Sequence, residues 1–400
     1  NNAGNNGTDL APVAVNANGD IVIGSAPSND WTILGNTGTN PTTNFIGTTD
    51  AQDLDIRTNN VKHLRVTQKG QLEVLNTGKS VFIGEGAGDS DDLSNNQNVF
   101  IGSDAGKNNT TGDGNTATGC YSLSLNTEGR NNTATGVYSL TKNTTGDLNT
   151  ANGYFSLFSN TTGSNNTANG YGSLVVNETG DNNVANGHYA LQNNLSGMEN
   201  TANGAYALRE NKGSYNTANG ASSLKRNTSG NYNVANGAYS LYLNQSGASN
   251  VASGYKSLYS NISGNSNVAN GLKSLYDNTS GSYNVANGEY ALYSNKTGSK
   301  NTALGSAAFV FGTKYSNSTA LGFASAITAS NQVRIGNNAV TSIGGFQNWS
   351  NVSDARFKTN VKENVPGLDL ILKLRPVSYN LDMDAIANFQ NTPDSLRLLE

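Results

Sequence analysis

The chain has 400 residues and a mass of 41.7 kDa, of which only 13% are charged and 35% hydrophobic, while about a sixth are asparagine and 46 residues are glycine. It is too poor in large apolar side chains to fill the thick core of an α/β enzyme, and too weakly charged for the highly charged kind of disorder. A net charge of −4, a pI near 5.3 and the lack of a local Lys/Arg cluster exclude a nucleic-acid binder, and no apolar run is long enough to span a membrane.

The single Cys120 and the distant His63 and His188 leave no disulfide framework and no His/Cys metal cluster, and no motif asks for a cofactor. The sequence opens on the polar Asn1-Asn2-Ala3-Gly4, which is not a secretion signal.

Residues 1–80 lack any period and read as a β-rich N-terminal cap or adaptor. Strands are expected over Asp20–Gly24 and within Val61–Leu75, where His63-Leu64-Arg65-Val66 and Gln71-Leu72-Glu73-Val74 alternate polar and apolar residues. The run Trp31–Val74 resembles stretches common in fibre-like surface or secreted proteins of bacteria. A cap of this kind is what the end of a repeat array requires.

From residue 81 to 345 a repeat dominates. The pentapeptide Asn-(Thr/Val)-Ala-(Asn/Thr/Ser)-Gly ends at Gly119, Gly136, Gly153, Gly170, Gly187 and Gly204, and recurs to Gly288 with variants ending at Gly305 and Gly322. The spacing is 17 residues except for one 16-residue step into Gly220. A Leu follows four residues after the Gly from Leu123, Leu140 and Leu157 onward to Leu292, usually then an Asn three later (Asn126, Asn143, Asn160), then a Ser/Thr-Gly such as Thr145-Gly146. Seventeen residues are too few for the helix pairs of α-solenoids, which need about 33 or more. They suffice for one coil of a parallel β-roll with two short extended runs, and with glycines at the bends.

Asparagines in register can bond along the axis as side-chain ladders. The predicted fold is therefore all-β: a repetitive parallel β-roll or β-solenoid shaft of 17-residue coils. Thirteen or so coils at about 4.8 Å each give a rod of roughly 60 Å. Each coil offers one Ala, one Leu and often a Val or Tyr, a thin apolar stripe. We therefore expect several chains to share an axis, as a homotrimer with Ala at the closest approach; the alternative is a monomeric solenoid.

Smaller features inside the shaft admit bland readings. Asp89, Asp91 and Asp92 form an acidic loop or a Ca²⁺ site. Tyr121, Tyr138, Tyr189, Tyr206, Tyr239 and Tyr290, two residues after the bend glycine, pack between coils or stack on sugars. Sequons such as Asn143-Thr144-Thr145 are by-products of the consensus. After Gly322 the repeat decays through Asn331–Gly336 and Val340–Gly344, read as shorter coils.

Residues 346–400 differ in kind, with charges, prolines and a helical pattern over Leu368–Leu374 ending before Pro376, so a partly helical C-terminal segment is expected. The run Ser353-Asp354-Ala355-Arg356-Phe357-Lys358-Thr359-Asn360-Val361, followed by Leu374-Arg375-Pro376-Val377-Ser378-Tyr379, resembles the start of the intramolecular chaperone domain of phage endosialidases and tail spikes, peptidase family S74. In that family the domain drives trimerisation of a β-fibre and releases itself by autocleavage. The resemblance implies Ser353 as the cleavage residue, Lys358 as the base that activates its hydroxyl, Asp354 beside the scissile bond and Arg356 as an orienting residue.

About 47 residues follow Ser353, fewer than that domain has, and its G-x-I-A-Q-E-V helix is missing. A domain begun but not finished is not expected to complete cleavage. The 17-residue consensus also resembles the head repeats of trimeric autotransporter adhesins, although those are usually shorter. Together these imply an extracellular fibre or adhesin shaft on a cell surface or virion-like particle. It would be a homotrimer without enzymatic activity beyond self-cleavage. The alternative is a phage-like tail fibre, with cell-surface glycans or a receptor as partner.

Overall fold

The computed structural model describes residues 50–345, together with Thr48 and two short strands, β1 (Val13–Val15) and β2 (Ile21–Ile23), which pair antiparallel. Contacts divide the chain into Asn1–Thr341 and Ser342–Glu400. The segment expected to be helical, Leu368–Leu374, lies outside the described residues. No helix occurs among those that are described.

The expected strands of the N-terminal region are present. β3 (Leu54–Thr58), β4 (Val61–Val66) and β5 (Leu72–Val74) form an antiparallel sheet. Asn59 and Asn60, at φ 48° and 59°, make the two-residue turn between β3 and β4, where two successive positive φ angles suit the twist of a hairpin. Asp55 ties the sheet together through ion pairs of 2.8 Å to Arg57, Lys62 and Arg65. The Arg65 guanidinium above all, then Arg57 and Lys62, holds the Asp55 carboxyl far below the usual carboxylate range.

The shaft is one sixteen-stranded parallel sheet running from β6 (Val81–Ile83) and β7 (Val99–Ile101) to β21 (Val333–Ile335). Every strand has three residues, and the register stacks Ala on Ala, as Ala151 on Ala134 and Ala168. Each coil therefore holds one extended run, where two were expected; the rest of the coil is tight turns. The stretch Val340–Gly344, read as a last short coil, forms no strand.

The coil around Gly153 shows why the consensus is what it is. Gly153 has φ 130°, and a Cβ there would sit 2.7 Å from the carbonyl oxygen of Gly170 in the next coil, so neither backbone nor space admits a side chain. Phe155 and Leu157 follow at φ 57° and 49°. A left-handed Leu costs about 1–2 kcal/mol. Turning it inward buries it completely, which is worth about 1.5–3 kcal/mol and offsets the strain. Ser156, also buried, donates its hydroxyl to the Gly153 carbonyl at 2.9 Å, and small Ser or Ala recurs there.

The second glycine answers a different need. Gly163 has an ordinary φ, but a Cβ would lie 2.5 Å from both the Gly180 carbonyl and Asn160 Oδ1. Its own carbonyl accepts from Asn149 Nδ2 and Asn160 Nδ2, each at 2.8 Å.

Those two asparagines belong to two buried ladders. In one, Asn160 Nδ2 donates to Asn143 Oδ1 and Asn177 Nδ2 to Asn160 Oδ1, both at 2.8 Å. In the other, the backbone and side-chain N–H groups of Asn166 both donate to Asn149 Oδ1, at 3.0 and 3.1 Å. The interior is thus a row of Ala, a row of Leu and two rows of mutually bonded Asn. The expectation that Ala sits between chains is overturned, because Ala151 and its equivalents are wholly buried inside their own coil. The stripe is thin only when apolar residues are counted alone, and the buried asparagines of the ladders complete the core.

The ladders tolerate the 16-residue step. The residue is lost between Asn211 and Gly213, and Asn211 still donates to Asn194 Oδ1 at 2.9 Å and to the Gly213 carbonyl at 2.7 Å. They end where the consensus ends. Gly312 stands where the next ladder Asn would be, and the buried Asn295 Oδ1 has no hydrogen-bond donor.

Candidate functional site

Ser353, Asp354 and Lys358, with Arg356, all lie outside the described residues, so the chemistry implied at that junction rests on their order in the sequence. The described part offers surfaces, and the coil fixes what each presents. On each shaft strand from Val81–Ile83 to Thr319–Leu321 the middle residue points inward and the first and third point outward, as in Thr150-Ala151-Asn152, whereas all three residues of β21, Arg334 included, are exposed. From Val81 and Ile83 to Val333 and Ile335, these outward positions are Val, Thr, Ile, Leu, Asn or Ser and never charged. From Asn152 to Asn236 the outer asparagines form a third ladder, with Asn152 Nδ2 donating to Asn169 Oδ1 at 2.9 Å. Its donors point toward the C-terminal coils, opposite to the buried ladders.

A second face carries the aromatic residues. Tyr121 stacks on Tyr138 at 5.3 Å between ring centroids and 3° between planes, and Tyr138 on Phe155. Farther along, Tyr242, Tyr259, Tyr276 and Tyr293 form a continuous stack with centroids 5.2 Å apart. Rings in such a stack present edges outward, since their faces are covered by one another. Packing between coils is therefore the role of the rings within these stacks.

Cations lie beside the rings: Lys225 is 5.3 Å from Tyr206 and 5.6 Å from Tyr242, and Lys256 lies within 5.9 Å of Tyr239, Tyr255 and Tyr259. A hydrogen bond with the Tyr255 hydroxyl raises the Lys256 ammonium above its usual range, and burial raises the Tyr259 phenol.

The acidic loop has a structural task that its sequence did not reveal. Asp91 Oδ2 accepts from Asn98 Nδ2 and Asn109 Nδ2 at 2.9 and 3.0 Å, which gives the first donors of both buried ladders a partner. Asp91 Oδ1 accepts from Asn96 and from the Leu93 backbone. Asp92 bonds Ser94 and Asn96, and these bonds, that of Ser94 first, hold its carboxyl below the usual range. Among the described residues no group of three or more His, Cys, Asp or Glu side chains is placed to hold a metal ion. A spacing of 18 residues from Asp91 to the ladder residue Asn109 was the available signal.

Cys120 is free and half-buried. The sequon residue Asn143 is wholly buried in a ladder, its Nδ2 bonded twice. No helix of the described residues is long and apolar enough to cross a membrane.

Residues 353–393 match the family model for peptidase S74, described as the chaperone of endosialidase, and the match begins at Ser353. No curated protein matches the chain.

Proposed function

We propose that this protein is an extracellular structural fibre, an adhesin-like shaft that assembles as a homotrimer under the guidance of an S74-type chaperone segment at its C-terminal side. The observation that carries this reading is the pairing of a sixteen-stranded solenoid with an S74 match directly beyond it. The shaft holds 27 charged residues, yet the first and third positions of its strands hold none. A flat, uncharged, β-branched face along the whole rod suits burial against copies of itself, and the outer Asn ladder already satisfies much of its own hydrogen bonding. Trimerisation thus rests on the sheet face. Residues 1–80 serve as a cap, 81–345 as the shaft and 346–400 as the start of the chaperone domain.

At the junction, Ser353 acts as nucleophile on the adjoining peptide bond after Lys358 accepts its hydroxyl proton, with Asp354 flanking that bond. The test is the mass of the full chain in solution, expected at three times the 41.7 kDa protomer. A monomer would overturn the fibre reading. A C-terminal fragment released equally from the parent and from Ser353→Ala would overturn the assignment of Ser353.

A further inference from the structure

Charge is sorted along the shaft. Residues 81–210 hold twelve carboxylates and four Lys or Arg, whereas residues 211–345 hold nine Lys or Arg and two carboxylates, Asp277 and Glu289. The two halves carry net charges of −8 and +7, and the near-neutral total conceals this. Each half is roughly 35 Å long at about 4.8 Å per coil, several times the Debye length of about 8 Å at physiological salt. A ligand at one half therefore feels that half alone.

The ion pairs sharpen the contrast. Every ion pair among the described residues involves residues 53–130. The cations of the second half pair with no carboxylate there. Lys225, Arg226, Lys256 and Lys273 lie instead beside tyrosine rings, at 5.3 to 5.9 Å from a centroid, and Lys296 and Lys300 are exposed. Tyr239 and Tyr255 in this region meet edge to face at 88° and are each about two-fifths exposed, so they are outside the closed stack and keep ring surface open.

We infer that the C-terminal half of the shaft is a docking surface for an acidic polysaccharide, and that the acidic half stands off the same polyanionic surface. Carboxylates of the glycan meet unpaired ammonium and guanidinium groups, and its sugar rings meet Tyr239 and Tyr255. Lys225 and Arg226 lie one uncharged coil away from Lys256, and Lys273 repeats the position of Lys256 in the next coil, so the cations form a short row beside the aromatic rings that a chain of acidic sugars can follow. The inference rests on the fibre reading for its biological setting, but its test does not.

The full chain is titrated with polygalacturonate, dextran and duplex DNA at about 50 and about 500 mM NaCl, with its mass measured in the same samples. Expected are binding of polygalacturonate at low salt that is lost at high salt, and no binding of dextran. The quadruple variant K225Q/R226Q/K256Q/K273Q should weaken polygalacturonate binding by about thirtyfold or more, while D147N/D181N/E199Q in the acidic half leaves it unchanged. Circular dichroism of both variants checks that the coils persist.

No binding of polygalacturonate at low salt would overturn the inference, as would equal binding of dextran. Duplex DNA bound as tightly would show a general polycation face and overturn the polysaccharide assignment. Low-salt self-association of the free chain, abolished by the quadruple variant, would give the surface to the acidic half of another copy. A monomeric mass with salt-sensitive glycan binding intact would remove the fibre reading and leave this one standing.

Discussion

Replacing Asn177 by Ala removes one rung from the middle of a buried ladder. Asn177 Nδ2 donates to Asn160 Oδ1 at 2.8 Å and to the Gly180 carbonyl at 3.0 Å, and Asn177 Oδ1 accepts from Asn194 Nδ2 at 3.0 Å. The Gly180 carbonyl keeps a second donor in Asn166, at 2.8 Å. Asn160 Oδ1 keeps none, and one N–H of Asn194 is left bare in a wholly buried site. Two orphaned polar groups at about 1–3 kcal/mol each, with a small cavity besides, give a loss of about 3–6 kcal/mol. In a repeat array the loss is local, so a global melting temperature would dilute it. Hydrogen exchange at the amides of Thr167 and Val184, which donate to Asn183 and Asn200 across adjoining coils, reads the local opening directly. The matched control is Asn152→Ala on the exposed outer ladder, expected within about 1 kcal/mol of the parent. If Asn177→Ala changed protection at those amides no more than the control does, the idea that bonded asparagines complete the core would be wrong.

Asn177→Asp replaces a donor by an acceptor facing two oxygens in a buried site, so the carboxyl is held protonated and its folded pKa lies above the unfolded value of about 3.9. Its stability should therefore be greatest at acid pH and fall as pH rises through the folded pKa, an inversion readable in thermal melts at several pH values. Asp55 works in the other direction: its depressed folded pKa means that the β3–β5 sheet holds above about pH 4 and loosens as pH falls through the lower folded value. Exchange at the Leu64 and Leu75 amides should report that loosening while the ladders, which contain no titratable group between Asn109 and Asn295, stay protected. Gly153→Ala, with φ 130° and a carbonyl 2.7 Å from the new methyl, should disrupt the coil by about 3 kcal/mol or more. Gly70→Ala, at φ 79° with open space around it, should cost only about 1 kcal/mol in urea melts.

Period, strand position and the ladder asparagines were all readable from the sequence, because a single residue type recurring every 17 positions has few uses other than contact with itself. The contents of the coil were less readable. The Leu at Leu157 looks like half of an extended run, and only the backbone shows that it turns left-handed to face inward. Counting Ala and Leu alone suggested an open core, since nothing local says that Asn160 is buried and fully bonded on both sides. The role of Asp91 was hidden because its partners Asn98 and Asn109 are brought to it only by the coil. The charge sorting was present in the sequence all along, but the whole-chain sum of −4 averages it away.

The buried ladders share one direction: every rung donates backward to an acceptor in the preceding coil, and Asp91 stands at the start as the acceptor for the first donors. A chain emerging from its N-terminal side therefore always offers a finished row of acceptors to the coil that comes next. Each added coil repeats the same interface and changes nothing behind it. Reach thus becomes an inherited variable that gene duplication or loss of whole 17-residue units can tune, in steps of about 4.8 Å, with no need to redesign a core.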